Sequence, residues 1–167
     1  MNPLKIVFDT TALVSAVITE TGVAGRCLKA AQEHLVYVSS EIWNEMKARL
    51  YDVRMLARQL HLTPEKLEEW LINLRDHSST QKIERVKKFI SFPRDIKDEK
   101  ILNLAIQEKA THIVTRDNDL LDLMNSKTKY GKLFQENFPD IKIVSPEKMK
   151  YELEQIQIQT QQMQRER

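Results

Sequence analysis

Four short runs of aliphatic and β-branched residues constrain this chain more than any other feature: Leu4-Lys5-Ile6-Val7-Phe8, Leu35-Val36-Tyr37-Val38, His112-Ile113-Val114-Thr115 and Ile141-Lys142-Ile143-Val144. None follows the polar/apolar alternation of a strand with one wet face, so each reads as a strand buried on both sides. Stretches with helical spacing lie between them. The first two run from about Thr11 to Ile18 and, after a Gly22/Gly25 break, from Ala24 to His34. A third is capped by Ser39 or Ser40 and carries Ile42, Trp43, Met46, Leu50 and Val53, and a fourth runs from Thr63-Pro64 to about Asp76. These last two make a helical hairpin inserted after the second strand. Lys82 to Phe92 mixes both periods and is read as a further strand ending near Phe92-Pro93; Asp98 then opens a helix through Ile106, and Asp117 to Met124 forms a short helix or turn. Strands alternating with helices predict a parallel sheet of about five strands with right-handed crossovers, a three-layer α/β/α sandwich.

The 167 residues suit one domain over 1–150 and a glutamine-rich tail or helix over 151–167, where Leu153, Ile156, Ile158 and Met163 form a thin apolar stripe. A hydrophobic share of 41% excludes disorder as a description of the whole chain. Lys plus Arg number 26 against 24 Asp plus Glu, and the resulting +2 permits a nucleic-acid partner without requiring one. The single cysteine, Cys27, excludes an intramolecular disulfide and, among small neighbours, reads as buried packing. No run of about 18 apolar residues and no basic segment leading into an apolar one occurs, so a soluble, cytoplasmic protein without a membrane partner is expected.

In an open parallel sheet the ligand site lies beyond the carboxyl ends of the strands. Asp9 closes the first strand, Asp95 and Asp98 follow the third, and Asp117 and Asp119 follow the fourth, while Glu41 and Glu45 open the helix after the second. Aspartates at such positions also serve as helix caps, which accounts for Asp98 and Asp117 singly but not for Asp9 and Glu45 as well. Carboxylates gathered within a few ångströms need a counter-cation, and oxygen ligands suit Mg²⁺ or Mn²⁺. Other chemistry competes poorly. His34, His61, His77 and His112 show no metal-ligand spacing, and none of the 3 glycines follows a strand to cradle a phosphate. A phosphate binder on Thr10-Thr11 lacks the glycine for close backbone approach. A phospho-acceptor receiver would want a second acid after the first strand and a lysine directly before Pro146.

With these residues in place the chain resembles the PIN domain family, in particular its bacterial toxins of toxin-antitoxin pairs, over roughly residues 4 to 149. Ile6-Val7-Phe8-Asp9-Thr10-Thr11-Ala12-Leu13-Val14-Ser15-Ala16 resembles the family's opening strand-Asp-Thr-Asn segment, with Thr11 where asparagine is usual. Ser40-Glu41-Ile42-Trp43-Asn44-Glu45-Met46 resembles the segment holding the active-site glutamate, Glu45. The stretch from Arg94 to Ala105 resembles Arg-Asp-Pro-Asp-Asp-x-x-x-Leu-x-x-Ala with Ile96-Lys97 replacing the Pro-Asp pair, and Val114-Thr115-Arg116-Asp117-Asn118-Asp119-Leu120-Leu121 matches Val-Thr-x-Asp-x-Asp-Leu-Leu.

The resemblance implies a Mg²⁺- or Mn²⁺-dependent endoribonuclease with catalytic acids Asp9, Glu45, Asp98 and Asp117. Asp9, Asp98 and Asp117 would hold one or two ions, and Glu45 would bind or orient a second ion or its water. Thr10, Thr115 and Asp119 support them, and Arg116, Arg94 and Lys97, with Lys100, would hold the RNA backbone. A cognate antitoxin and a homo-oligomer, a dimer, are the further partners it implies. The alternative is a non-catalytic metal- or RNA-binding regulatory protein on the same fold.

Overall fold

β1 (Lys5–Phe8) occupies the middle of a five-stranded sheet and buries both faces, with Ile6, Val7 and Phe8 essentially without exposure. The computed structural model describes residues 2–52, 61–90 and 96–167, with side chains in the last stretch from Asp98 onward. β2 (Leu35–Ser39), β3 (Thr80–Ile83), β4 (His112–Val114) and β5 (Lys142–Val144) complete the sheet in the order β3-β2-β1-β4-β5, every pair parallel. Chain order therefore steps outward from β1 on one side and then crosses back to add β4 and β5 on the other. Between β1 and β4 the winding reverses, which opens a crevice beyond their carboxyl ends.

The helices α1 (Thr10–Ile18) and α2 (Val23–Ala31) link β1 to β2. α3 (Ser40–Leu50) and α4 (Pro64–Asp76) lie between β2 and β3, as the expected helical insertion. Their starts follow the sequence signals. Ser39 Oγ accepts the Ile42 N–H at 3.1 Å, and Thr63 Oγ1 accepts that of Lys66 at 3.2 Å with Pro64 in the first turn. α5 (Ile96–Gln107) returns the chain to β4 and packs on β1 and β4, the three-layer sandwich expected from the strand–helix alternation. Cys27 is fully buried between α2 and its neighbours, and burial pushes its thiol up to about 12, which leaves it an apolar filler.

The third strand is displaced from where the apolar run predicts it. β3 pairs with β2 from Val36 opposite Thr80 to Ser39 opposite Ile83, so it precedes most of the Lys82–Phe92 run. The reason is a competing set of hydrogen bonds. The N–H groups of Phe89 and Ile90 donate to Asn103 Oδ1 at 2.9 and 3.0 Å, and that of Lys87 to Gln107 Oε1 at 2.8 Å, so side chains of α5 satisfy the backbone that a ladder would otherwise use. Phe92-Pro93 and Val53, placed by sequence at the ends of a strand and a helix, lie outside the described residues.

Between β4 and β5 stand α6 (Asn118–Leu121), a 3₁₀ turn (Asp122–Met124) and α7 (Lys129–Asn137), the last unassigned by sequence although Thr128 caps it. α8 (Pro146–Arg165) is a single helix that runs into the 151–167 segment read from sequence as a glutamine-rich tail or helix. Met149 and Leu153 are buried, α2 lies against it, and His112 Nε2 meets Glu152 Oε2 at 2.8 Å. Among the described residues no helix is long and apolar enough to cross a membrane.

Candidate metal and nucleic-acid site

Asp9 takes its position from three hydrogen bonds, two to backbone groups and one to a side chain. Its N–H donates to Val114 O at 3.0 Å, continuing the β1–β4 ladder, and it is the N-cap of α1, with Oδ1 accepting the Ala12 N–H at 2.7 Å. Its other oxygen, Oδ2, accepts from the Thr115 hydroxyl, which is fully buried beyond β4. Thr115 in turn accepts the Asp117 N–H at 2.9 Å, and Asp117 Oδ1 accepts the Asp119 N–H at 2.9 Å as cap of α6. A chain of hydrogen bonds thus runs from the end of β1 across the crevice to the loop after β4.

Burial raises the pKa of Asp9 above the usual carboxylate range. Its hydrogen bonds from Thr115 and Ala12 work against this, the negative charge of Asp117 adds to it, and Arg49 opposes it from α3. The arrangement disfavours two anions side by side, which is the electrostatic condition that a cation relieves. The donors are hard oxygens, and each Asp9 oxygen keeps acceptor capacity beyond its one hydrogen bond. That set fits a small divalent ion, for which one or two protein carboxylates with water and phosphate suffice. Among the described residues no group of three or more His, Cys, Asp or Glu converges closely enough to hold a metal ion.

The remaining predicted residues sit on the neighbouring elements. Thr10 is buried as the first residue of α1. Glu45 sits half-buried on α3, and Asp98 lies in the first turn of α5, where the sequence had set the helix opening. Glu45 borders an open groove of about 690 Å³ together with Glu41, Asn44, Ala48, Arg49, Asp52 and Lys100. Arg116 is exposed and paired with Glu147 at 2.7 Å, at the start of α8. Arg94 and Asp95 lie outside the described residues, as does the side chain of Lys97.

One residue that sequence reasoning passed over belongs here. Arg49 places Nη1 3.0 Å from Thr11 Oγ1 and Nη2 3.4 Å from Glu45 Oε1, tying α3 to the start of α1. The signal for it was the Glu45/Arg49 spacing, which puts both side chains on one helix face.

A family model described as PIN domain matches residues 5–119, more than half of the chain. An uncharacterized protein of Methanocaldococcus jannaschii is 29% identical over 160 residues, which span 90% of this chain and 92% of that protein.

Proposed function

This chain belongs to the PIN domain family, a family of nucleases, and from that premise we propose that it is a divalent-metal-dependent endoribonuclease. The observation that carries the reading is the Asp9–Thr115–Asp117 chain at the reversal of strand winding. Asp9, Asp98 and Asp117 would hold Mg²⁺ or Mn²⁺ there. Such an ion supplies a lowered water pKa for in-line attack at phosphorus and counter-charge for the phosphate. Thr115 fixes the Asp9 carboxylate and, through the Asp117 backbone, the second acid, while the Asp119 N–H caps onto Asp117 and Thr10 is buried at the start of α1. Glu45 faces the groove from α3, where it can orient a water or the RNA.

Lys100 lines that groove, and Arg116, Arg94 and Lys97 are assigned to the RNA backbone. Arg116 can exchange Glu147 for a phosphate at small cost, because an exposed ion pair contributes at most about 1 kcal/mol. The role proposed for the whole chain is the toxin of a toxin-antitoxin pair acting as a cytoplasmic dimer, with 1–150 as the nuclease domain and the glutamine-rich 151–167 as an extension.

Cleavage of a mixed RNA pool with Mn²⁺ tests the activity. Wild type should cut, and Asp9→Asn and Asp117→Asn should each lose about 100-fold or more; equal cleavage by all three would overturn the mechanism. Growth arrest on expression of wild type but not of Asp117→Asn tests the toxin role. The second reading is a non-catalytic metal- or RNA-binding regulator on the same fold. Bound Mn²⁺ with intact RNA would select it.

A further inference from the structure

Arg49 joins α3 to the start of α1 beside the Asp9 end of β1. Its guanidinium spans from Glu45 on α3 to Thr11 at the start of α1, and its charge reaches Asp9 two residues earlier. Its hydrogen bonds to Thr11 Oγ1 and Glu45 Oε1 use two of its five N–H donors. Arg49 gives Glu45 a positive partner from within its own helix, one turn away. Another divalent ion beside Glu45 would meet this fixed charge at close range, and like charges at a few ångströms repel strongly in a partly buried site.

We propose that Arg49 substitutes for a second metal ion, so that the site takes one divalent cation, held on the Asp9/Asp117 side, while Glu45 is kept off the metal by its arginine. This rests on the nuclease reading for the existence of the first ion and goes beyond it in fixing the stoichiometry. Arg49 is accordingly a positioning residue.

Titration of the full-length protein with MnCl₂ in RNA-free buffer, followed by calorimetry and by the electron paramagnetic resonance of free Mn²⁺, reads the count directly. Wild type and Arg49→Lys should bind one ion. Glu45→Gln should also keep one, with its affinity within about threefold of wild type, since the carboxylate removed is not a ligand. Arg49→Gln should admit a second ion or bind the first at least about fivefold tighter, because the repelling charge is gone. Two ions on wild type, loss of the ion in Glu45→Gln, or an Arg49→Gln titration identical to wild type would each overturn the substitution. A wild type that binds no Mn²⁺ would defeat the nuclease mechanism along with it, whereas two ions on wild type would defeat the role of Arg49 alone.

Discussion

Thr115 is the smallest group on which the site depends. It is buried without exposure, donates to Asp9 and accepts from the Asp117 backbone, so replacing its hydroxyl by a methyl leaves a buried carboxylate one donor short. Thr115→Val should cost about 1–3 kcal/mol of stability by urea unfolding, the penalty of an unsatisfied buried acceptor. It should also cost about 10–100-fold in Mn²⁺ affinity or cleavage, the usual price of removing an outer partner of a ligand. Thr115→Ser should recover most of both. Asp9 presents the opposite case. Its ionised form is disfavoured by burial and by Asp117, so in chelator near pH 7 Asp9→Asn should unfold at a higher urea midpoint than wild type. Both findings were within partial reach of the sequence. Asp9, Thr115 and Asp117 stood at strand ends, but which hydroxyl met which carboxylate depended on the β1–β4 register, a contact across 106 positions of chain.

Among the elements, α8 shows how a buried side chain anchors a helix. His112 on β4 is pressed below its ordinary pKa by burial, although Glu152 on α8 opposes that shift and Lys142 reinforces it. A histidine with a lowered native pKa binds fewer protons folded than unfolded, so stability should fall as pH drops below about 6.5, where the unfolded ring begins to take up its proton. Comparing urea midpoints at pH 7.5 and 5.5 checks this, and His112→Gln should flatten the dependence. The same helix has a boundary in its burial. Leu153 is its last buried residue, so deleting residues 155–167 should move the melting temperature little, while Leu153→Ala should cost about 2–5 kcal/mol.

Ser145 and Pro146 start this helix, but its length was not legible, since ten uncharged positions with few apolar residues carry no clear face. β3 was misplaced for a related reason. Hydrophobicity marks a segment that packs on the core, and Val86 and Ile90 do so, yet their backbone partners are Asn103 and Gln107 side chains that no local pattern announces. α4, by contrast, was legible end to end, because Thr63 and Pro64 mark its start and Leu67, Leu71 and Leu74 its buried face.

Across the whole molecule, the strand order explains why one edge carries the acids. Only at the β1/β4 boundary do crossovers leave in opposite directions, and there the loops part enough for side chains to meet a ligand. Divalent ions binding this crevice in the folded state alone must stabilise the fold. Mn²⁺ at about 100 times its dissociation constant should add about 2.7 kcal/mol to wild type, read as a rise in melting temperature that Asp9→Asn abolishes. The +2 net charge gave no hint of this, for the deciding quantity is how few carboxylates share one crevice and not how many the surface holds.

β1 is apolar on both faces, and this has a bearing on alignment. In a half-wet strand, a slip of one residue exposes the hydrophobic side and corrects itself. Here Ile6, Val7 and Phe8 are all buried, so polarity penalises a slip weakly, and the residue that distinguishes one alignment from the next is Asp9. Shifted by one position, the strand would present a phenyl ring where the carboxylate meets Ala12 and Thr115. The proposed ligand of the metal is therefore also a residue that keeps the central strand in step with its neighbours.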